Sequence, residues 1–240
     1  MLTRAAQTGL TLIELLIGSV LGLLILSSLL GLYGNTVRGS GEGLRATQLQ
    51  QQLRAVLGIL RQDLRRAGHL GVTPTTANLA LLQANPFTDA DDPDKPVAER
   101  NDVRLGQYPG ESEDSCILYS YDLDGNGSLT PSGTGMERFG FRLRDGRVQM
   151  RYGGTPFDCS AGSWQSVTEE QVEITHLQFR IDSTPLHPTL GEDQCGVGEP
   201  CLYVRSVEVR LSGHLRADPS IHMTLNDRVR LRNDRYLASL

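Results

Sequence analysis

Positive charge is in deficit in this 240-residue chain, with a formal net charge of -5 and a sequence pI near 5.5. Neutralising phosphates takes clustered positive charge, so a protein built around nucleic acid is not expected. Zinc is not expected either, because the four cysteines show no CxxC spacing and no adjacent histidine pair completes a site. His69, His176, His187, His214 and His222 are scattered without ligand-like spacing. No nucleophile stands beside a base, and the glycines near Gly39 follow an apolar run rather than a strand, so they do not form a phosphate cradle. An enzyme is therefore not expected. Cys116, Cys159, Cys195 and Cys201 form an even set that reads as disulfides with three possible connectivities. The short glycine-bearing loop from Cys195 to Cys201 favours that pair, with Cys116 to Cys159 as the other. Paired thiols place the domain in an oxidising compartment such as the periplasm.

Charge is absent altogether from Leu15 to Val37, and Leu15 to Tyr33 is almost wholly apolar. At ~1.5 Å per residue this stretch is long enough to cross a ~30 Å hydrocarbon layer. Arg4 and the chain's own amine are the positive charges ahead of it, which keeps the leader cytoplasmic and exports the remainder. A conventional secretory signal needs small residues three and one positions before its cut; the first such pair, Gly34 and Thr36, lies far down the segment. A plain anchor does not account for Glu14, because a carboxylate at the start of a spanning helix needs a partner.

The residues around it read Gly9, Leu10, Thr11, Leu12, Ile13, Glu14, Leu15, Leu16 and Ile17. That string resembles the processing signal of type IV prepilins: a polar leader ending in glycine, a hydrophobic first mature residue, and glutamate as the fifth. The resemblance implies that a prepilin peptidase cuts between Gly9 and Leu10 and that the new amine of Leu10 is methylated. The family most often has phenylalanine where this chain has Leu10. It also implies that Glu14 offsets the charged amine of Leu10, in its own chain or a neighbouring subunit. Such a pair fixes the register between helices even where its net stabilisation is small.

The expected organisation is a leader at 1–9, a membrane and assembly segment at 10–33, an amphipathic stalk helix at 34–71 and a head at 72–240. Gly31, Gly34, Gly39, Gly41 and Gly43 lower helix propensity by roughly 1 kcal/mol each, so a bend or melted turn is expected there. Helical periodicity resumes with Leu49, Leu53, Val56, Leu57, Leu60, Leu64 and Ala67 on one face, and Gly68 and Gly71 punctuate its end near His69. From 72 to 110 the chain reads as a long loop with one apolar piece at Leu79 to Leu82.

Cys116 to Tyr121 reads as a strand. Asp145 and Gly146 form a two-residue turn that sets Leu143 opposite Val148, Phe141 opposite Met150 and Phe139 opposite Tyr152. Further strands are expected around Phe179, Val209 and Val229. The fold class is therefore α+β: a long amino-terminal helix laid on a carboxy-terminal antiparallel sheet, an architecture that the pilin resemblance also implies. Beyond its first thirty or so residues the chain resembles a PilW-type minor pilin, in the Cys116 strand running into the Asp122 loop, in Trp164 before a strand, and in the closing segment from Arg228 to Asn233.

Asp122, Asp124 and Asn126 alternate before Gly127, as in the first half of a calcium loop, with Glu137 as a later ligand. Gly133 stands where the bidentate glutamate of such a loop belongs, so the competing reading is an Asp/Asn/Gly turn that bonds its own backbone. No cofactor is required; calcium is the ion this pattern would take. Arg144, Asp145 and Gly146 spell an integrin-recognition tripeptide that the hairpin turn already explains. Arg228, Arg230 and Arg232 give a basic strand face, expected to be solvated or paired with the acid-rich stretch from Asp89 to Asp124.

The resemblance implies a minor pilin that primes pilus assembly. It would sit in the inner membrane with a periplasmic head and enter the filament, with the tip as the expected position. Its partners would be prepilin peptidase, other minor pilins and the major pilin. The J-type pseudopilin of type II secretion is the alternative, and an adhesin or DNA-binding pilin using the basic face is a reading of another class.

Overall fold

A computed structural model describes residues 11–72, 85–88, 100–130, 136–188, 191, 195–196 and 198–237. The leader, Gly9, Leu10 and the apolar piece at Leu79 to Leu82 lie outside the described residues. The chain divides into two compact units, 1–47 and 48–240.

One helix, α1 (Leu12–Leu64), supplies the first unit and the opening of the second. Its stretch Leu12–Tyr33 has a mean hydropathy of 2.4 and is solvent-facing throughout, so it is long and apolar enough to span a membrane. Helical backbone continues through the glycine cluster between Gly31 and Gly43, where a bend or melted turn was the expectation. The i to i-4 ladder can carry several glycines at once when good helix formers flank them on both sides.

Within the second unit, Leu49, Leu53, Val56, Leu57, Leu60, Leu64 and Ala67 are all buried, the face that the 3.6-residue period marked out. They cover two antiparallel sheets where one was expected. The first runs in the order β1 (Arg104–Gly106), β2 (Cys116–Ser120), β3 (Arg138–Arg144), β4 (Arg147–Gly153) and β5 (Ser163–Ser166). The second is β6 (Val172–Leu186), β7 (Cys201–Leu215) and β8 (Asp218–Arg230), with β9 (Arg235–Leu237) pairing the start of β7 where β8 has ended. Ile117, Tyr119, Phe141 and Val148 from the first sheet join Leu177, Phe179, Val209 and Leu211 from the second in one core under α1. The free edge of β6 does not stay bare: the amides of Phe179 and Ile174 donate to the carbonyls of Asp114 and Gly146.

The β3–β4 hairpin turns on Asp145 (φ 51°) and Gly146 (φ 69°), the double positive φ of a type I′ turn. Leu143 pairs with Val148 and Phe141 with Met150. Tyr152 departs from the expected face and is 62% exposed. The pairing of β4 with β5 shifts register between Arg151 and Gly153, and that irregularity turns Tyr152 outward. The expected loop from 72 to 110 also contains structure: β1 pairs with β2, and Phe87 on a short 3-10 turn is fully buried.

Gly213 on β7 faces Leu53 of α1. A Cβ there would lie 2.8 Å from the Glu173 carbonyl oxygen, 3.2 Å from Ile174 Cδ1 and 3.5 Å from Leu53 Cδ2. The carbonyl belongs to the neighbouring strand and cannot swing away. Gly213→Ala is expected to cost about 1–3 kcal/mol by overpacking, read as a lower urea midpoint; an unchanged midpoint would mean the strands part freely.

Candidate functional site

The sequence singles out one end of α1 first. Thr11 precedes the first helical residue and Glu14 is the third, the spacing of a capping box. Thr11 N and Thr11 Oγ1 donate to Glu14 Oε2 at 2.9 and 2.8 Å, and Glu14 N donates back to Thr11 Oγ1 at 3.3 Å. Glu14 therefore caps its own helix. The signal for this was present as T-x-x-E and is independent of any role toward the amine of Leu10, which lies outside the described residues.

The loop after β2 is organised by Asp122. Its Oδ1 accepts from the amides of Gly125 (2.7 Å) and Asn126 (3.1 Å), and its Oδ2 from those of Gly71 and Gly127 (both 2.9 Å). Burial pushes the Asp122 pKa up, but the amides of Gly71, Gly127 and Gly125 outweigh it and leave the carboxyl below its ordinary range. Glu137, fully buried, closes the loop from the other side by accepting from Leu123 N at 2.8 Å and Thr130 N at 2.7 Å. Burial dominates there and raises its pKa. Asp124 and Asn126 bond each other and the following amide.

Single carboxylate oxygens of Asp122, Asp124 and Glu137 lie within 4.8 Å of one another, so the spacing did bring oxygen atoms together. Both oxygens of Asp122 and of Glu137 already serve backbone N–H groups. A calcium ion would have to compete with the amides that these oxygens already accept.

At the other end of α1 lies a polar arrangement that the sequence reading did not find. Asp63, buried on the helix, accepts hydrogen bonds from the hydroxyls of Tyr119 and Tyr121, the latter at 3.0 Å. Burial first, and the Asp63 charge second, push both tyrosine hydroxyls above their ordinary pKa, so they remain protonated donors. Arg66 Nη1 lies 3.5 Å from the Tyr121 hydroxyl. The carbonyls of the turn that follows the helix, at Arg65, Arg66 and Ala67, are met by the segment after β8. Arg232 N donates to Arg65 O at 3.4 Å, and Asn233 Nδ2 donates to Arg66 O at 3.3 Å and Ala67 O at 3.0 Å. Arg205, itself buried, anchors that segment through Asn233 O at 3.0 Å and forms an ion pair with buried Asp102.

The basic strand face is already matched by acids. Across the second sheet Arg180, Glu208 and Arg228 lie in one cross-strand row, and Arg228 Nη2 also reaches Asp182 at 3.2 Å. Arg230 meets Asp234 at 3.0 Å. These partners differ from the expected stretch between Asp89 and Asp124, because strand register sets which charges become neighbours. Arg232 lies past the end of β8 and belongs to the α1 terminus instead.

Cys116 is bonded to Cys159, and Cys195 to Cys201. Trp164 packs on a small cluster of Cys116, Leu118, Phe157 and Cys159. Two arginines, Arg142 and Arg151, are buried beside it. Arg142 lies 4.2 Å from the Trp164 ring centroid, and Arg151, fully buried, lies 5.1 Å from that of Phe157. Burial and the neighbouring Arg138 lower the Arg151 pKa to about 10, so it remains charged at neutral pH.

A family model described as prepilin peptidase-dependent protein B matches residues 42–231. A protein of Haemophilus influenzae, described as uncharacterized, is 23% identical over 209 residues, covering 72% of this chain and 75% of its own. No solved structure matches.

Proposed function

We propose, since this chain belongs to the family described as prepilin peptidase-dependent protein B, that it is a minor pilin of a type IV pilus, of the PilW type, which primes filament assembly. The observation that carries this reading is the string from Gly9 to Glu14 running into the apolar stretch Leu12–Tyr33. The family match begins at residue 42, so the processing signal and the family assignment rest on separate parts of the chain.

On this reading prepilin peptidase removes residues 1–9, the amine of Leu10 is methylated, and the apolar segment holds the subunit in the inner membrane with its head in the periplasm. Other minor pilins and the major pilin are the partners. No enzymatic step and no cofactor is assigned to it. Glu14 offsets the Leu10 amine of its own or a neighbouring chain and so aligns the subunit as the filament forms.

A strain lacking the gene is expected to lose at least about nine tenths of its sheared surface pili, roughly tenfold, and to recover them with the wild-type gene. Glu14→Ala should fail to restore them. Glu14→Gln separates the two roles of this side chain: it keeps an oxygen for the Thr11 cap but removes the charge. Failure of Glu14→Gln as well assigns the requirement to the charge; rescue by it assigns the requirement to the cap. Mass analysis of membrane-extracted protein should give a chain starting at methylated Leu10, and an intact Met1 would end the processing claim. Unchanged pili would turn the reading to a J-type pseudopilin, followed through secretion of exported enzymes.

A further inference from the structure

The chain is acidic overall, yet the end of α1 opens onto a cleft of about 610 Å³ lined by Arg61, Arg65, Arg66 and Arg232. What matters is how many of the nearby charges are already matched. Arg61 is held by Asp227 at 2.7 Å. Of the acids Asp63 and Asp122, the first accepts from two tyrosine hydroxyls and the second from four backbone amides. Asp122 has no acceptor site left for a guanidinium, and among the described residues neither acid forms an ion pair with an arginine of the cleft. Among the described residues Arg66 bonds the neutral hydroxyl of Tyr121, and neither it nor Arg65 nor Arg232 makes a side-chain ion pair. The carbonyls of Arg65, Arg66 and Ala67, just past the helix end, are already met by Arg232 N and Asn233 Nδ2.

We infer that this cleft is a docking site for an acidic peptide segment of a partner protein, whose carboxylates would bridge Arg65, Arg66 and Arg232. Guanidiniums with free parallel N–H groups match carboxylates in a fork geometry that a single point charge does not supply. Leu123, 51% exposed at the rim, offers an apolar contact suited to a peptide side chain. A nucleic acid backbone would need a continuing basic track. The strand face that might have extended it is neutralised by Asp182, Glu208 and Asp234. The inference stands on the cleft alone and not on the machine the protein serves.

The test uses the full chain in non-ionic detergent and fluorescence anisotropy of a labelled peptide of alternating Asp-Glu-Leu triplets, at about 50 mM salt so that screening is weak. The same peptide with Asn and Gln replacing its acids is the neutral control, and a short DNA duplex is a third probe. The acidic peptide should bind saturably and the neutral one should not. Arg65→Glu with Arg232→Glu should weaken binding at least about tenfold, whereas Arg228→Glu with Arg230→Glu, on the neutralised strand face, should leave it within about twofold. Arg65→Gln with Arg232→Gln, which keep the aliphatic stems, should weaken it severalfold and serve if the reversals do not fold. Failure of the acidic peptide to bind, equal binding of the neutral one, or equal loss in the strand-face pair would overturn the proposal. DNA binding that disappears with Arg65 and Arg232 would also overturn it, assigning the cleft to nucleic acid.

Discussion

Asp122→Ala is expected to destabilise the head by about 3–5 kcal/mol, one of the two largest effects of substitution in the molecule. The side chain accepts four backbone N–H bonds, and its removal strands those of Gly71, Gly125 and Gly127 and leaves Asn126 N with its bond to Asp124 Oδ1 alone. A hydrogen bond to a charged acceptor contributes about 1.5–3 kcal/mol, but water can reach part of an opened loop, so the sum falls short of four full bonds. Gly71 is among the four, so the loss also frees the chain where it leaves the helix. Asp122→Asn should be little better, because its amide nitrogen would face two of the N–H groups. Urea unfolding followed by circular dichroism measures this directly, and a loss below about 1 kcal/mol would mean the loop is held by other contacts.

The same carboxylate gives a signed pH dependence. Its folded pKa is lowered from 3.8, so its contribution is complete above that value and is lost as pH falls through the folded pKa. Glu137 acts in the opposite sense: its folded pKa is raised from 4.5, so the folded state takes up a proton first, and stability from that group declines as pH rises through the window above 4.5. Acid unfolding of the Asp122→Ala protein should therefore have a shallower limb below 3.8 than the wild type. Calcium added to the wild type in the same measurement is expected to leave the midpoint unchanged. A concentration-dependent rise would show that the ion displaces those amides and make the loop a cation site.

Much of this fold is written locally. The buried face from Leu49 to Ala67 follows from period alone, and Asp145 and Gly146 fix the hairpin register because few residue pairs tolerate two positive φ angles. The Cys195 to Cys201 pairing is likewise local. Of the non-local features, the Cys116 to Cys159 bond was legible through the even cysteine count, and the sheet arrangement was not. Whether the strands form one sheet or two depends on which edges meet, and the amides of Phe179 and Ile174 end on turns from distant segments. Tyr152 was misplaced because strict alternation assumes an unbroken ladder. Arg142 and Arg151 look like surface residues by type, and become interior ones only because Phe157 and Trp164 return to cover them. The candidate sites divide in the same way. Spacing identified Asp122 and Asp124 as oxygen donors, but not the N–H groups those oxygens would take. Arg232 read as one tooth of a strand face until the end of β8 placed it beside α1.

Removing the Cys116–Cys159 bond as Cys116→Ala with Cys159→Ala is expected to cost about 4 kcal/mol, against about 2 kcal/mol for Cys195→Ala with Cys201→Ala. The difference comes from the chain between the partners: the first bond closes a sequence separation of 43 and the second one of 6. A longer loop restricts the unfolded chain more, by a term that grows with the logarithm of its length. Packing reinforces the order. Cys116 is fully buried and Cys159 nearly so, against Leu118, Phe157 and Trp164, so two alanines there also loosen the cover over Arg142 and Arg151. Once that cover loosens, two guanidiniums regain water, which offsets part of the packing loss but leaves the sheet open on that face. Unfolding the two double variants side by side in urea tests the ranking. Equal costs would mean that the unfolded chain is already compact between Cys116 and Cys159, and a reversed order would place the larger share of the stabilisation in the short Cys195 loop at the start of β7.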